Sequence, residues 1–350
     1  MQNVDHPSIQ ESDEIVLGYL VIDGRYVYPI RDSVLSLLSD EDVDVQHYQQ
    51  HFDAINAIAP QWKSQADSNL QRIRESQESS DGDWNRAEMR YYDSEVDTDE
   101  KRIAMRDNIR EKNLPHIFIP RDKFILRYVK PSIENKVVVE IGCGNARTVA
   151  KLMPPLEYKY DYVGTDIAFY RLVVAKMACS DGESVQASAF NLPLKNNIAD
   201  VGISFGMLHH LPEPINGIRD LNRVLKENSV VGIHEPIETQ KIVVGKLPKL
   251  EAALTTYEHS DRDGEIDLSA FSAELQSLGY DKIGMRLLAS PFRSVANYVL
   301  QKTIPLLLHN GAVTSLIYSV DSLLIATVCK LSGKLKPRAV AMLYSRGGKV

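Results

Sequence analysis

Val137-Val-Val-Glu140-Ile-Gly142-Cys-Gly144-Asn-Ala146 is an apolar strand pattern that runs into a glycine turn and then a helix. Glycines at 142 and 144 permit a tight turn and let a ligand lie against bare backbone, as in nucleotide-binding first turns. The third glycine of a G-x-G-x-x-G run is missing, and Glu140 at the strand end would repel a pyrophosphate. A carboxylate there suits a cationic ligand. Asp166, in Tyr162-Val-Gly-Thr-Asp166-Ile167, closes the next apolar run. It stands about twenty residues on, where an acid can accept both hydroxyls of a ribose.

Such a turn works only at the end of a buried strand, and the pattern from Val137 onward supplies one. Short apolar runs alternate with longer amphipathic ones, which predicts a parallel sheet with crossover helices. Strands are expected near 137–141, 161–165, 184–187, 199–205 and 229–234, with two more near 280–288 and 338–345 closing the sheet. Helices fall between them, for example over Ile215 to Leu225. The expected fold class is α/β, a doubly wound Rossmann-like sheet of seven strands with helices on both faces.

Glu140-Ile-Gly-Cys-Gly144, Asp166, Asn191-Leu-Pro-Leu194, Ala199-Asp-Val-Gly-Ile-Ser204, Met207-Leu-His-His-Leu-Pro-Glu-Pro214 and Leu221-Asn-Arg-Val-Leu-Lys226 follow one another in order over about 100 residues. Together they resemble the ordered motifs of class I S-adenosylmethionine-dependent methyltransferases. The resemblance implies that S-adenosylmethionine is the cofactor, that Gly142 and Gly144 face its methionine part, and that Asp166 binds its ribose. It further implies that Ile167 lies on adenine, Ala189 and Phe190 edge the adenine, and Phe205-Gly206 lies beneath the cofactor. Glu140 acts through the glycine loop or a water toward the amino group. Where such enzymes often place an Asp on the adenine amino group, this chain has Ser188, whose hydroxyl accepts that hydrogen bond more weakly.

Methyl transfer is an in-line displacement, so the protein chiefly supplies proximity, orientation and, for a hydroxyl or amine acceptor, a base. No metal is required. His209 and His210 follow the fourth strand of the sheet and His234 and Glu235 end the fifth, at the carboxyl edge where open α/β folds bind ligands. Histidine titrates near neutrality. His210 or His234 is the expected base; at least one of the His209-His210 pair serves either in catalysis or as scaffold, and Glu235 shares the crevice. Cys143 reads as a small loop residue without thiolate activation. Tyr91 and Tyr92 either cover the cofactor or pack on a surface helix.

The rest of the chain is read by composition. Residues 1–100 carry 22 Asp and Glu against 7 Lys and Arg, whereas the last 69 residues from Lys282 carry 10 basic residues against Asp321 alone. Residues 15–38 mix β-branched and aromatic runs with an Asp23-Gly24 turn signal, predicting a hairpin and then a short helix. Asp23-Gly-Arg-Tyr-Val-Tyr-Pro-Ile-Arg-Asp32 resembles part of the small Trm112-like zinc-ribbon modules, but Val21 and Gly24 replace the metal-binding cysteines, so the resemblance implies a module without metal. Residues 40–112 are acidic, with Ile55, Ile58, Leu70 and Ile73 at helical spacing, a loop at 76–83 and a helix over Trp84–Asp93. The expected organisation is a degenerate Trm112-like segment at 1–45, a helical acidic cap at 46–120 and a methyltransferase domain at 121–350.

A helical insert at 291–337 interrupts the end of the domain. Nineteen residues from Gly311 to Cys329 hold one charge, Asp321, whose insertion would cost roughly 2.5–3.5 kcal/mol at a bilayer centre. The insert is therefore expected as a buried lid, with or without contact to lipid or an amphiphilic acceptor through Lys302, Lys330, Lys334, Lys336 and Arg338. Cys143, Cys179 and Cys329 form no C-x-x-C pair, which excludes a disulfide framework or a four-cysteine zinc site. MQNVDHPSIQESDE lacks a basic region followed by an apolar run, so a cytoplasmic location, with or without peripheral membrane contact, is expected. The preferred reading is an enzyme methylating an O, N or C atom of a small or lipid- or sugar-linked acceptor. An RNA- or protein-modifying enzyme is the alternative, disfavoured by the acidic first hundred residues; a non-catalytic scaffold is the third.

Overall fold

Asp32 and Ser33 both take left-handed backbone, with φ of 50° and 61°, the conformation that lets a two-residue turn follow the twist of paired strands. The chain therefore returns as a strand after Arg31, where a short helix was expected. The computed structural model describes residues 8–11, 14–22, 26–40, 42–77, 83–110, 135–147, 150, 160–179, 182–236, 266–288, 311–324 and 339–347. The Asp23-Gly24 turn and the basic residues flanking the insert lie outside them.

Two units divide the chain: Met1–Glu111 with Val139–Pro155 and Asp161–Lys195, and Lys112–Val138 with Leu156–Tyr160 and Asn196–Val350. In the first, β1 (Ser8–Glu11), β2 (Glu14–Ile22), β3 (Tyr26–Arg31) and β4 (Val34–Ser36) pair in antiparallel succession. β4 then pairs in parallel with β7 (Glu183–Gln186), Leu35 opposite Val185 and Ser36 opposite Gln186. β6 (Asp161–Asp166) lies on the other side of β7, followed by β5 (Val137–Ile141). The N-terminal hairpins thus continue the sheet that carries the glycine turn.

Four helices follow the hairpins: α1 (Val45–Asn56), α2 (Lys63–Gln77), α3 (Asp83–Ser94) and α4 (Asp99–Arg110). Asp44 caps α1 by accepting from the amides of Gln46 and His47. The inward stripe Tyr48, Phe52, Ile55, Leu70 and Ile73 packs with Tyr19, Val27 and Met89 into one apolar cluster, while Ile58 lies beyond α1 and is 39% exposed. α5 (Phe169–Ala178) connects β6 to β7 and buries Phe169 and Leu172 against Val34 and Cys143.

In the second unit β8 (Ala199–Phe205) runs parallel to β9 (Leu225–Pro236), joined by α6 (Pro214–Val224). α7 (Leu268–Ser277) precedes β10 (Tyr280–Leu288), α8 (Gly311–Leu324) follows it, and β11 (Ala339–Arg346) pairs antiparallel with both β9 and β10. The strands expected from Val137 onward are all present as β5 to β11. β9 begins four residues before its expected start because Leu225 already pairs with Ala199. The architecture is Rossmann-like α/β, a mixed sheet flanked by helices. α8 is the described part of the insert, and among the described residues no helix is long and apolar enough to cross a membrane.

Candidate active site

The first unit builds its site around one carboxylate. Gly142 and Gly144, at φ of 64° and 53°, turn the chain sharply after β5, a backbone region glycine enters without steric penalty. Ala146 takes φ of 53° in the same loop, at a cost of about 1–2 kcal/mol for an L-residue. Asp166, at the end of β6, accepts from the Gly144 amide at 2.7 Å on one oxygen and from the Ala168 amide at 2.8 Å on the other. It therefore ties the glycine turn to the start of α5. Each oxygen keeps a further lone pair, so a vicinal diol can still donate to the pair. Burial pushes this carboxyl above its ordinary range, opposed by those amides and by the Arg171 guanidinium.

Glu140 lies beneath the turn, essentially inaccessible, and accepts from the Tyr162 hydroxyl at 2.7 Å. Burial, followed by the charge of Glu140, raises the Tyr162 phenol well above its usual value, so it remains the donor. Gly164 makes room for this arrangement: a Cβ there would sit 2.7 Å from the Tyr162 hydroxyl and 2.8 Å from the Cys143 sulfur. Cys143 is buried, and burial raises its thiol pKa, so it holds no nucleophilic thiolate.

Ile167 is half-buried and packs on the apolar cluster of the N-terminal helices and hairpin. Its carbonyl accepts from Gln186 Nε2 at 2.9 Å, and the Ser36 hydroxyl donates to Gln186 Oε1. Ser188 is buried, and its oxygen accepts from the Phe190 amide at 3.3 Å while its carbonyl accepts from the Asn191 amide. The hydroxyl thereby closes its own loop and leaves Ala189 and Phe190 half-buried.

Asp93 was not singled out by its sequence context. It sits on α3, buried, and accepts from the Tyr170 amide at 2.7 Å, supplying the helix-start acceptor that Ala168 cannot. Burial, with the nearby Asp166 charge, pushes it up to about 7. Tyr92 lies with its ring 4.3 Å from the Arg171 guanidinium carbon, and Glu95 pairs with the same side chain. Tyr91 is exposed. Nothing local marks Gln186, Asp93 or Arg171 for their contacts with Ser36, Tyr170 and Glu95, which stand 150, 77 and 76 residues away.

The second unit builds another cluster. After β8, Gly206 takes φ of 68° with open space where a Cβ would stand, and its amide donates to the His234 carbonyl at 2.7 Å. Glu235 is inaccessible. One of its oxygens accepts from the Met207 and Leu208 amides at 3.2 and 3.1 Å, the other from His209 Nδ1 at 2.8 Å. This carboxylate fastens the 3-10 turn Leu208–His210. His209 is equally buried and stacks on His210 with ring centroids 3.9 Å apart. His210 and His234 are half-buried, and His234 meets the Phe205 ring edge-on at 6.4 Å. Of the four residues proposed for catalysis, these two offer accessible imidazoles; His209 and Glu235 are spent on each other and on the turn.

Residues 139–233 match the family model described as a methyltransferase domain. Demethylmenaquinone methyltransferase of Staphylococcus saprophyticus subsp. saprophyticus is 30% identical over 97 residues, 27% of this chain and 41% of that protein. The chain therefore spans less than half the length of the curated relative it matches. Among solved structures, geranyl diphosphate C-methyltransferase of Streptomyces coelicolor A3(2) superposes with a TM-score of 0.44 at 10% identity, covering 65% of this chain and 75% of that one. Phosphoethanolamine N-methyltransferase 2 of Haemonchus contortus gives 0.43 at 14%, covering 65% and 53%. With its glycine turn and Rossmann-like sheet, the chain carries a methyltransferase domain, matched over residues 139–233.

Proposed function

We propose that the chain is an S-adenosylmethionine-dependent methyltransferase acting on an O, N or C atom of a small or lipid- or sugar-linked acceptor. The observation that carries this reading is the Asp166 carboxylate, bound to both the glycine turn and the start of α5 with lone pairs left for a ribose diol. The residues fit the cofactor on its own chemistry: bare backbone at Gly142 and Gly144, an acid for the diol, Ile167 for an apolar ring, and an oxygen of Ser188 for an exocyclic amine. Ala189 and Phe190 edge the adenine, and Glu140 supports the turn from below. Residues 1–120 serve as an accessory region to the methyltransferase domain at 121–350.

When bound, S-adenosylmethionine supplies an electrophilic methyl group on a sulfonium. The chain's residues provide the rest. Asp166 fixes the ribose and thereby the sulfonium, so that positioning contributes to the rate of the in-line displacement. Phe205 and Gly206 present ring and backbone to the cofactor. An imidazole of His210 or His234 takes the acceptor's proton at a ring nitrogen when the acceptor is a hydroxyl or amine. Glu235 and His209 keep the turn that carries His210 in place. α8 contributes an apolar surface, with Leu316 and Leu323 66% and 62% exposed, suited to an acceptor with a hydrocarbon part.

Calorimetric titration with S-adenosylmethionine and S-adenosylhomocysteine tests the reading. Asp166→Ala is expected to weaken both at least tenfold, or about 1.4 kcal/mol. Absence of binding by the unaltered chain, or equal binding by the variant, overturns it.

A further inference from the structure

Arg171 occupies the first turn of α5, five positions after Asp166, and its guanidinium is incompletely used. Nη2 pairs with Glu95, and the Tyr92 ring covers the group at 4.3 Å. Nε is buried without a hydrogen-bond partner, and among the described residues Nη1 makes no hydrogen bond. Nη1 also lies 3.6 Å from the point a Cβ would occupy on Gly144. A guanidinium nitrogen with no hydrogen bond among the described residues thus borders the bare face of the second glycine, whose own amide is already committed to Asp166.

A guanidinium in that state calls for a planar anion, which it binds through charge-assisted hydrogen bonds. The ligand assigned to this turn carries a single anionic group, the carboxylate of its amino-acid part. We propose that Arg171 is a cofactor-binding residue that receives this α-carboxylate, with Tyr92 and Glu95 as positioning residues that hold the guanidinium in place. The nearby acids Asp93, Glu95 and Asp166 do not oppose this. The same ligand brings an ammonium, and in the methylated form a sulfonium, to offset them. The N-terminal region, through Tyr92 and Glu95, then becomes part of the apparatus that sets cofactor affinity. This inference rests on the cofactor reading above.

The test compares S-adenosylhomocysteine with 5′-methylthioadenosine, which keeps the adenosine and thioether but lacks the amino acid. Titrating the full chain, Arg171→Met is expected to weaken S-adenosylhomocysteine at least tenfold while leaving methylthioadenosine within twofold. Glu95→Gln should show a smaller loss with the same selectivity. Equal loss of both ligands, or unchanged S-adenosylhomocysteine binding, overturns the assignment of Arg171. If Arg171→Met does not fold, Arg171→Lys replaces it, with a selective loss of threefold or more expected and an unselective one counting against the proposal. An unaltered chain that binds neither ligand sinks the cofactor reading itself, an outcome distinct from a variant that fails to discriminate.

Discussion

Ser36, Asp93 and Glu95 reach 150, 77 and 76 positions along the chain to meet Gln186, Tyr170 and Arg171. Glu235, by contrast, meets His209 only 26 positions away, across one strand–helix–strand unit. Asp166 is held locally by Gly144 and Ala168, but Gln186, the start of α5 and Arg171 are braced from outside the methyltransferase motifs, by hairpins and helices that precede them. The residues assigned to proton transfer are braced from within. Perturbing the N-terminal region should therefore act on cofactor affinity. Perturbing Glu235 should act on the local fold of the second unit.

The largest effect is expected from Glu235→Ala. It leaves an imidazole and two turn amides without their acceptor, at about 1–3 kcal/mol for each buried unsatisfied group. Urea unfolding should register a loss above about 3 kcal/mol. A loss under about 1 kcal/mol would mean that the turn holds without its carboxylate, and the contrast with the first unit would collapse.

His51 sharpens the comparison through pH. It is inaccessible on α1, packed 4.4 Å from the Phe169 ring, with neither ring nitrogen hydrogen-bonded. Burial holds it well below its ordinary pKa and holds His47 near 4. Both pKa values are depressed in the folded state, so below about 6.5 the unfolded chain takes up protons that the folded one refuses. The stability these neutral rings preserve is present above about 6.5 and drains away as pH falls toward 4. His51→Phe should raise stability at pH 7 by about 1 kcal/mol and flatten the loss between pH 7 and 5. Denaturation midpoints at the two pH values check this; an unchanged slope would place the acid sensitivity elsewhere.

Ser36→Ala is the mildest probe. It removes the donor to Gln186 and so loosens the grip of Gln186 on the Ile167 carbonyl. S-adenosylhomocysteine affinity should fall twofold to threefold, about 0.4–0.7 kcal/mol, with the unfolding midpoint nearly unmoved. Unchanged affinity would show that the parallel pairing of β4 with β7 suffices without this side chain.

Legibility followed the range of the interactions. The glycine turn, Asp166 and the strands from Val137 to Arg346 are marked by contiguous runs whose period and punctuation are local properties. The short helix expected at the end of residues 15–38 gives way to β4 because Asp32 and Ser33, both polar and neither glycine, adopt left-handed backbone that favours a tight hairpin turn. Glu235 was visible as an acid at a strand end, yet its commitment to His209 and the turn amides depends on register. Cys143 is legible as a small loop residue, and the structure buries it and raises its thiol pKa.

By itself, the sequence of this protein determined which backbone positions can turn without a side chain, which strand ends carry acids and histidines, and where charge accumulates. These depend on residue type and spacing alone. Only the tertiary structure decided that Gln186 links Ser36 to Ile167, that Asp93 starts α5, and that Arg171 stands beside Gly144 between Tyr92 and Glu95. Such contacts join segments whose separation along the chain carries no periodic signal. Their geometry exists only once β4 has paired with β7 and α3 has come to lie against α5.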